Sequence, residues 1–285
     1  MVEIVIRVPS KFMMCSGSQR SQHFRASIRT FCLNSLFTGF IHGIDSSITQ
    51  LSDMLSILPL SNPRRPEIVL SLAWKQFHQH TSSNQIEDLD KAIVHFAESI
   101  LLSPLSWIQH DPIILIALFS LATALFLRSK VSKQPEDVIC ATKYLSHLRH
   151  QPHEIPTIPR YEVTALLVDT LASQVKSDAG NVMQNIRKMV FLSREILETS
   201  DAVDARFIVL IHAVVRSKID AGVPGQPLDE LIEFSRVARK RRPDLLEGHM
   251  TFAMCLVYRY MMTSVNNDYE EAASTLDDID RKSVV

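Results

Sequence analysis

The feature that most constrains the fold is a two-helix unit that recurs along the chain. After about residue 26, apolar residues follow spacings of three and four, and prolines or polar loops interrupt this pattern at intervals. Six segments open on an acidic or amide residue closely followed by an apolar one, and successive openings are 39 to 49 residues apart. The openings are at Asp45, Asp88, Asp137, Asn185, Asp229 and Asp268. Each is predicted to lie at or near the start of the second helix of a hairpin.

The segment EDLDKAIVHFAESILLSP illustrates one unit. Leu89, Ile93 and Phe96 lie on one helical stripe, charged residues lie mostly off it, and Pro104 ends the helix. An earlier helix over residues 67–78 is joined to it by a polar loop that contains TSSNQ. Two helices joined by a short polar loop indicate a helical hairpin.

The same pattern predicts six hairpins in tandem. The predicted helix pairs are 26–41 with 45–58, 67–78 with the helix that ends before Pro104, 111–128 with 137–150, 160–176 with 181–199, 201–220 with 228–241, and 245–263 with 268–280. Residues 1–25 are predicted to be poorly ordered. Residues 26–285 are predicted to form one helical repeat domain.

Burial of apolar surface requires the hairpins to stack. A single hairpin cannot bury both of its helices, so neighbouring pairs must pack side by side and share one core. The first helix of each pair is the more apolar, as in the run of Leu118, Leu121 and Leu125. Small residues such as Ala73 and Ala122 would let the helices approach closely. The sequence therefore predicts an all-α superhelical solenoid of about six hairpins.

The composition supports a folded core and argues against nucleic-acid binding. Apolar residues make up 46% of the 285 residues, and 30 basic residues balance 31 acidic ones, whereas nucleic-acid proteins usually carry a basic excess. The basic run RVARKRR, residues 236–242, is interpreted as the charged last turn of a helix, with a nuclear-localisation signal or a nucleic-acid patch as the alternative. Four cysteines without a C-x-x-C pair indicate a reducing compartment, and we expect a cytoplasmic protein.

Two stretches of the sequence are compatible with a cellular location other than the cytoplasm. Residues 112–127 are apolar on every side but fall short of the roughly 20 residues that span a bilayer. Asp111 as N-cap and Pro112 as first helical residue would begin a helix there. We expect a buried core helix and no membrane contact, with a spanning helix as the alternative. Residues 1–28 have the composition of a mitochondrial presequence, which is a second alternative.

No motif indicates catalysis or a cofactor. The sequence has no G-x-x-x-x-G-K, H-E-x-x-H or G-x-S-x-G and no paired cysteines. His147, His150 and His153 are the best metal candidates, but a proline separates the third from the helix, and exposed histidines at a helix end are the favoured interpretation. Cys140 and Cys255 have apolar neighbours and are predicted to be small buried hydrophobes. We therefore expect no catalytic residue, no cofactor and no metal.

The helix pairs, with small residues in the first helix and DLDKAI-type openings in the second, resemble tetratricopeptide (TPR) repeats. More narrowly, NSLFTGF…GIDSSI and EDLDKAIVHFAESILLSP are similar to the long-period TPR arrays of basidiomycete fungi, which often precede a caspase-like CHAT protease domain. The resemblance implies a right-handed α-α superhelix that serves as a protein–protein interaction scaffold. It also implies an alternative, a sensor or regulatory fragment of a fungal CHAT-type protease without its catalytic domain.

Five first helices carry a basic residue near their end, and these residues are the predicted partner contacts. They are Lys75, Arg128, Lys176, Arg216 and Arg259. Equivalent positions of a solenoid follow one face, so these side chains would line a mildly basic groove for an acidic peptide. The alternative is the general preference of basic residues for helix C-termini.

The last predicted helix leads to one further expectation. Ala272, Ala273 and Leu276 lie on one side of it, and no polar capping helix follows in the sequence. Terminal repeats of solenoids normally carry a polar outer face. We therefore expect self-association through the C-terminal repeat.

Overall fold

A computed structural model describes residues 47–103, 112–151, 158–177, 181–199, 205–220 and 228–283 of the chain. These residues form eleven α-helices and contain no strand, so the all-α prediction is confirmed for them. The helices are α1 (Ile48–Ile57), α2 (Arg65–Ser83), α3 (Ile86–Leu102), α4 (Pro112–Ser132), α5 (Pro135–Arg149), α6 (Arg160–Lys176), α7 (Val182–Thr199), α8 (Ala205–Asp220), α9 (Leu228–Arg241), α10 (Leu246–Thr263) and α11 (Asn266–Ser283). The predictions for 1–25 and 26–41 lie outside the described residues.

Most helix bounds agree with the prediction to within a few residues. The bounds of α6 and α9 coincide with it. The largest difference is in α2, which continues to Ser83, whereas the polar run TSSNQ predicts an end at residue 78. In that last turn the Thr81 hydroxyl donates to the carbonyl oxygen of His78 at 2.7 Å. Because hydroxyls can bond back to the helix in this way, a polar run alone does not end it.

One hydrophobic core connects the helices. From α2 to α7, each helix packs against the next along the chain, and α9, α10 and α11 also pack in order. The core runs without interruption from Leu70 in α2 to Ala272 in α11. A small separate cluster, formed by Leu51, Ile68 and Leu72, attaches α1 to α2. The stacking of helix pairs around a shared core is therefore observed.

The apolar helix α4 lies inside this core. Fourteen of its 21 residues are buried, because α4 packs between α3 and α5 and also touches α2 and α6. Ser120 and Thr123, which are also buried, donate to backbone carbonyl oxygens one turn earlier at 2.7 and 2.8 Å. Among the described residues, α4 is the one helix long and apolar enough to cross a membrane, and 78% of its apolar 18-residue stretch is buried within the protein. Burial on all sides accounts for its apolar composition.

The pairing of α8 with α9 differs from the other hairpins. The closer contacts of α8 are with α6 and α10, and those of α9 are with α7 and α10. Gly248 in α10 lies where these helices meet. A Cβ atom at this position would be 3.6 Å from Cγ2 of Ile208 in α8 and 3.8 Å from Cβ of Ala238 in α9. Helix α10 therefore contacts both members of the preceding pair.

Three hairpin loops share one backbone geometry. Asn84, Lys133 and Ser264 have φ values of 59°, 56° and 59°, in the left-handed region. Each donates its backbone N–H to the carbonyl oxygen four residues earlier, at 2.7 to 2.9 Å. Each also precedes the third residue of the next helix, an aspartate, by four residues. The loops therefore give α2–α3, α4–α5 and α10–α11 a common turn.

Replacement of Lys133 by glycine is expected to stabilise the protein. With φ in the left-handed region, the backbone conformation of a residue with a Cβ atom is roughly 1 kcal/mol less favourable than that of glycine. Lys133→Gly should therefore raise the free energy of unfolding by a fraction of that amount. The matched control is Gln134→Gly, because Gln134 has φ of −77° and gains nothing from glycine. Urea unfolding followed by circular dichroism measures both variants. Equal destabilisation by both would contradict the prediction.

Candidate interaction surface

Arg128, a predicted partner contact, joins three helices. It lies near the end of α4, and its Nε and Nη2 donate to the two carboxylate oxygens of Asp137 in α5, both at 2.7 Å. Its Nη1 donates to Oδ1 of Asp90 in α3 at 2.9 Å. The Asp137 side chain is only 7% exposed. The guanidinium therefore compensates a buried carboxylate and connects α4 to the helices before and after it.

The same arrangement recurs at Arg259 in α10. Nε and Nη2 donate to the carboxylate of Asp268 in α11, and Nη1 donates to Oδ1 of Asp229 in α9, all at 2.7 Å. The Asp268 side chain is 3% exposed. In both places the arginine precedes the buried aspartate by nine residues. We call each set of one arginine and two aspartates an arginine clamp.

A neutral version of the clamp lies between the two. Oε1 of Gln174 in α6 accepts a hydrogen bond from Nδ2 of Asn185 in α7 at 3.0 Å. Nε2 of Gln174 donates to the hydroxyl of Thr142 in α5, also at 3.0 Å. Gln174 and Asn185 are both buried. Thus α4, α6 and α10 each use one polar side chain to connect the helices before and after them.

The clamps shift the pKa values of the two arginines and of Asp268. The hydrogen bond to Asp137 raises the pKa of Arg128, and the hydrogen bond to Asp268 raises the pKa of Arg259. The Arg259 guanidinium, through the same bond, holds the pKa of Asp268 below its ordinary value. Asp268 is therefore ionised throughout the neutral range, and its hydrogen bonds to Arg259 remain charge-assisted.

The acidic openings of the second helices lie close to the helix start, as predicted. A polar residue in that place can cap backbone N–H groups. Asp137 and Asp268 instead occupy the third residue of their helices and accept from arginine. Asp88, at the same position in α3, accepts from the Ser83 hydroxyl at 3.2 Å. The sequence signal for the clamps is an arginine nine residues before such an aspartate.

The five predicted contacts occupy two registers. Arg128, Lys176 and Arg259 precede the opening residue of the next helix by nine residues. Lys75 and Arg216 precede it by thirteen, which is about one helical turn earlier. Lys176 is exposed, Lys75 and Arg216 are half-buried, and the other two belong to clamps. Contact of these residues with a partner stays a prediction, and Arg128 and Arg259 also bind aspartates within the protein.

Ion pairs connect the second helices in one direction. In each pair the arginine belongs to the earlier helix and the glutamate to the later one. The pairs are Arg149 of α5 with Glu195 of α7, Arg187 and Arg194 of α7 with Glu230 and Glu233 of α9, respectively, and Arg236 of α9 with Glu271 of α11. The Arg187–Glu230 and Arg236–Glu271 pairs are exposed and add little stability individually, whereas Arg149 is largely buried. Together they form a directional ladder on this side of the array.

The basic run 236–242 is partly engaged within the protein. Arg236 pairs with Glu271, and the Arg239 guanidinium lies 4.5 Å from the centroid of the Phe252 ring. Arg242 donates to both carboxylate oxygens of Asp244, and this holds the pKa of Asp244 at about 2. As predicted, most of the run forms the last turns of α9, which ends at Arg241. The nuclear-localisation alternative is not tested by these contacts.

The histidines do not assemble a metal site in the part of the chain that the structure describes. No three His, Cys, Asp or Glu side chains are placed there to hold a metal ion. His147 and His150 are exposed near the end of α5, where Nε2 of His147 is 2.8 Å from Nε2 of Gln151. His153 lies outside the described residues.

The two described cysteines have different environments. Cys255 is buried, as predicted, and burial raises the pKa of its thiol to about 12. Cys140 is exposed, so its predicted burial is wrong. The packed face of α5 runs through Asp137, Ala141 and Leu145, and Cys140 lies outside that stripe despite its apolar sequence neighbours.

The chain was compared with known families and structures. No protein-family model and no curated protein matches it. A crystal structure of a de novo designed helical repeat protein is similar over 80% of this chain and 93% of its own, at 15% identity and a TM-score of 0.24. At that TM-score the likeness carries no argument, so the description of the array rests on its own geometry.

Loss of a clamp arginine is expected to destabilise the protein strongly. Arg259→Met leaves the buried Asp268 carboxylate without its cation and should cost about 3 kcal/mol. The control is Arg187→Met, which removes an exposed arginine 3.2 Å from Glu230 and should cost less than about 1 kcal/mol. Urea unfolding gives both values. Similar small losses would show that the clamp contributes no more than a surface ion pair.

The contribution of Asp268 is expected to depend on pH. Its pKa is lowered in the folded state, so its stabilisation is present above the unfolded pKa of about 3.9 and is lost as the pH falls through the folded pKa. The difference in unfolding free energy between the wild type and Asp268→Asn should stay constant from about pH 7 to 5 and shrink below about pH 4. Urea titrations across this range measure it. A difference that does not change with pH would contradict the assignment.

Proposed function

We propose that this protein is a protein–protein interaction scaffold without catalysis of its own, built as a TPR-like solenoid and working in the cytoplasm. The observation that carries the proposal is the single hydrophobic core from α2 to α11. A continuous core holds the side chains of successive helices at fixed spacings, so a partner meets a preformed surface and little ordering entropy is lost on binding.

The clamps support the same proposal. Each ties three consecutive helices through charge-assisted or buried hydrogen bonds, and the neutral version does so for α5, α6 and α7. Such links restrict sliding of one helix past the next. A scaffold needs this rigidity because a partner that contacts several repeats requires a constant distance between them.

An acidic peptide remains the proposed ligand of the basic face. Lys75, Lys176 and Arg216 lie on first helices in the two registers described above. Arg128 and Arg259 contribute positive charge there but also satisfy buried aspartates. Reversal of these two charges would disrupt the fold, so a test of the basic face must leave them unchanged.

The test is affinity capture with two charge-matched variants. The full chain is used as bait in a lysate of its source cells, together with Lys75→Glu/Lys176→Glu/Arg216→Glu. The control reverses three exposed lysines of second helices, Lys91, Lys143 and Lys188. We expect mass spectrometry to identify partners that the wild type and the control retain and the first variant loses.

Two outcomes would count against the proposal. If the folded wild type captures no protein above background, the scaffold function is not supported. If both variants lose the same partners, net charge rather than the basic face determines binding.

A further inference from the structure

The last helix exposes an apolar stripe beside its packed face. Asp268, Ala272 and Thr275 of α11 face the protein and are at most 3% exposed. The adjacent stripe of α11 contains Tyr269, Ala273 and Leu276, spaced four and three residues apart. Tyr269 is 44% exposed and Leu276 is 38% exposed. Met261, at the end of α10, is 63% exposed. We call Met261, Tyr269, Glu270, Ala273 and Leu276 the terminal face.

The equivalent positions in α3 are buried. When Asp268 is aligned with Asp88, the stripe of Tyr269, Ala273 and Leu276 occupies the positions of three residues of α3. These are Leu89, Ile93 and Phe96. In α3 they are 0%, 8% and 0% exposed. Helix α3 packs against α2 on one side and α4 on the other, whereas α11 packs against α10 and is followed by no further helix among the described residues. The terminal face thus has the position on α11 that the following first helix, α4, covers on α3.

The terminal face also carries a carboxylate at the position of Asp90 in α3. Glu270 follows Asp268 by two residues, as Asp90 follows Asp88. Asp90 accepts a hydrogen bond from Arg128, which belongs to the helix packed on α3. Glu270 is exposed, and Asp277, seven residues later on the same side of α11, is exposed too. The edge of the terminal face therefore carries two carboxylates suited to a cation from a docked helix.

We propose that the terminal face binds an amphipathic α-helix of a partner protein, one whose apolar stripe covers Tyr269, Ala273 and Leu276 and whose arginine pairs with Glu270. The proposal deepens the scaffold function and rests on it. Recognition of a helix through residues spaced four and three apart is a recurrent binding mode. A second copy docked through its own terminal face fits less well, because the Glu270 and Asp277 carboxylates of both copies would lie close together.

The probe is a peptide with the sequence of α6, Arg160–Lys176, in which Lys176→Arg supplies the cation. Helix α6 packs on α5 as α4 packs on α3, and Lys176 has the register of Arg128. Fluorescence anisotropy measures binding of the labelled peptide to the full chain. The control is a second peptide that carries Lys176→Glu, whose glutamate would be repelled by Glu270.

We expect the arginine peptide to bind about tenfold more tightly than the glutamate peptide. Leu276→Asp should weaken binding of both peptides, and Glu270→Lys should reverse their order. Asp278→Lys is the matched control, because Asp278 lies one residue beyond Asp277 on the other side of α11, and it should leave the order unchanged. Circular dichroism verifies that each variant is folded.

Three outcomes overturn the proposal. The first is peptide binding that neither Leu276→Asp nor Glu270→Lys changes, since the peptide would then bind elsewhere. The second is no measurable binding to the folded wild type. The third is a wild-type protein that light scattering shows to be a dimer and that Leu276→Asp converts to a monomer. A second copy would then cover the terminal face, as expected from the sequence.

The scaffold function is tested independently of this surface. The variant Lys75→Glu/Lys176→Glu/Arg216→Glu leaves the terminal face intact and should bind the arginine peptide like the wild type. If the wild type binds the arginine peptide but captures no partner, the scaffold proposal has failed. If the wild type captures partners but does not bind the peptide, the proposal for the terminal face has failed.

Discussion

The architecture depends on the burial of helices that have little polar surface of their own. Helix α4 is the extreme case, with fourteen of 21 residues buried, and it is stable in water only when neighbours cover it on several sides. Its neighbours α3 and α5 also bury an apolar stripe, each against the helices before and after it. Stacking satisfies all of them at once, and the uninterrupted core from α2 to α11 is the result.

Apolar contacts alone would leave the relative positions of these helices loosely specified. The clamps add a geometric requirement, because a guanidinium must reach two carboxylates on different helices with nearly linear hydrogen bonds. Asp137 and Asp268 are buried, so a shift of one helix by a single turn would leave a charge unpaired in the core. The polar links therefore select one register from the several that hydrophobic packing would permit.

Local features of this molecule could be predicted from the sequence, and non-local ones could not. The bounds of α6 and α9 follow from periodicity and from breakers that act within a few residues. The role of Asp137 depends on Arg128 and on the turn that brings them together, and the contacts of α8 with α10 depend on three-dimensional packing. The exposure of Cys140 depends on which stripe of α5 meets its neighbours, and its apolar sequence neighbours gave the wrong answer. For the predicted basic face, the sequence identified the residues but not the intramolecular bonds of Arg128 and Arg259.

The ladder of ion pairs on the second helices gives the array a polarity. Because arginine always comes from the earlier helix and glutamate from the later one, the two ends of the ladder are chemically unlike. A helix that extended the ladder at its late end would therefore need a glutamate, and a helix that extended it at its early end would need an arginine, so the two ends select neighbours of opposite charge.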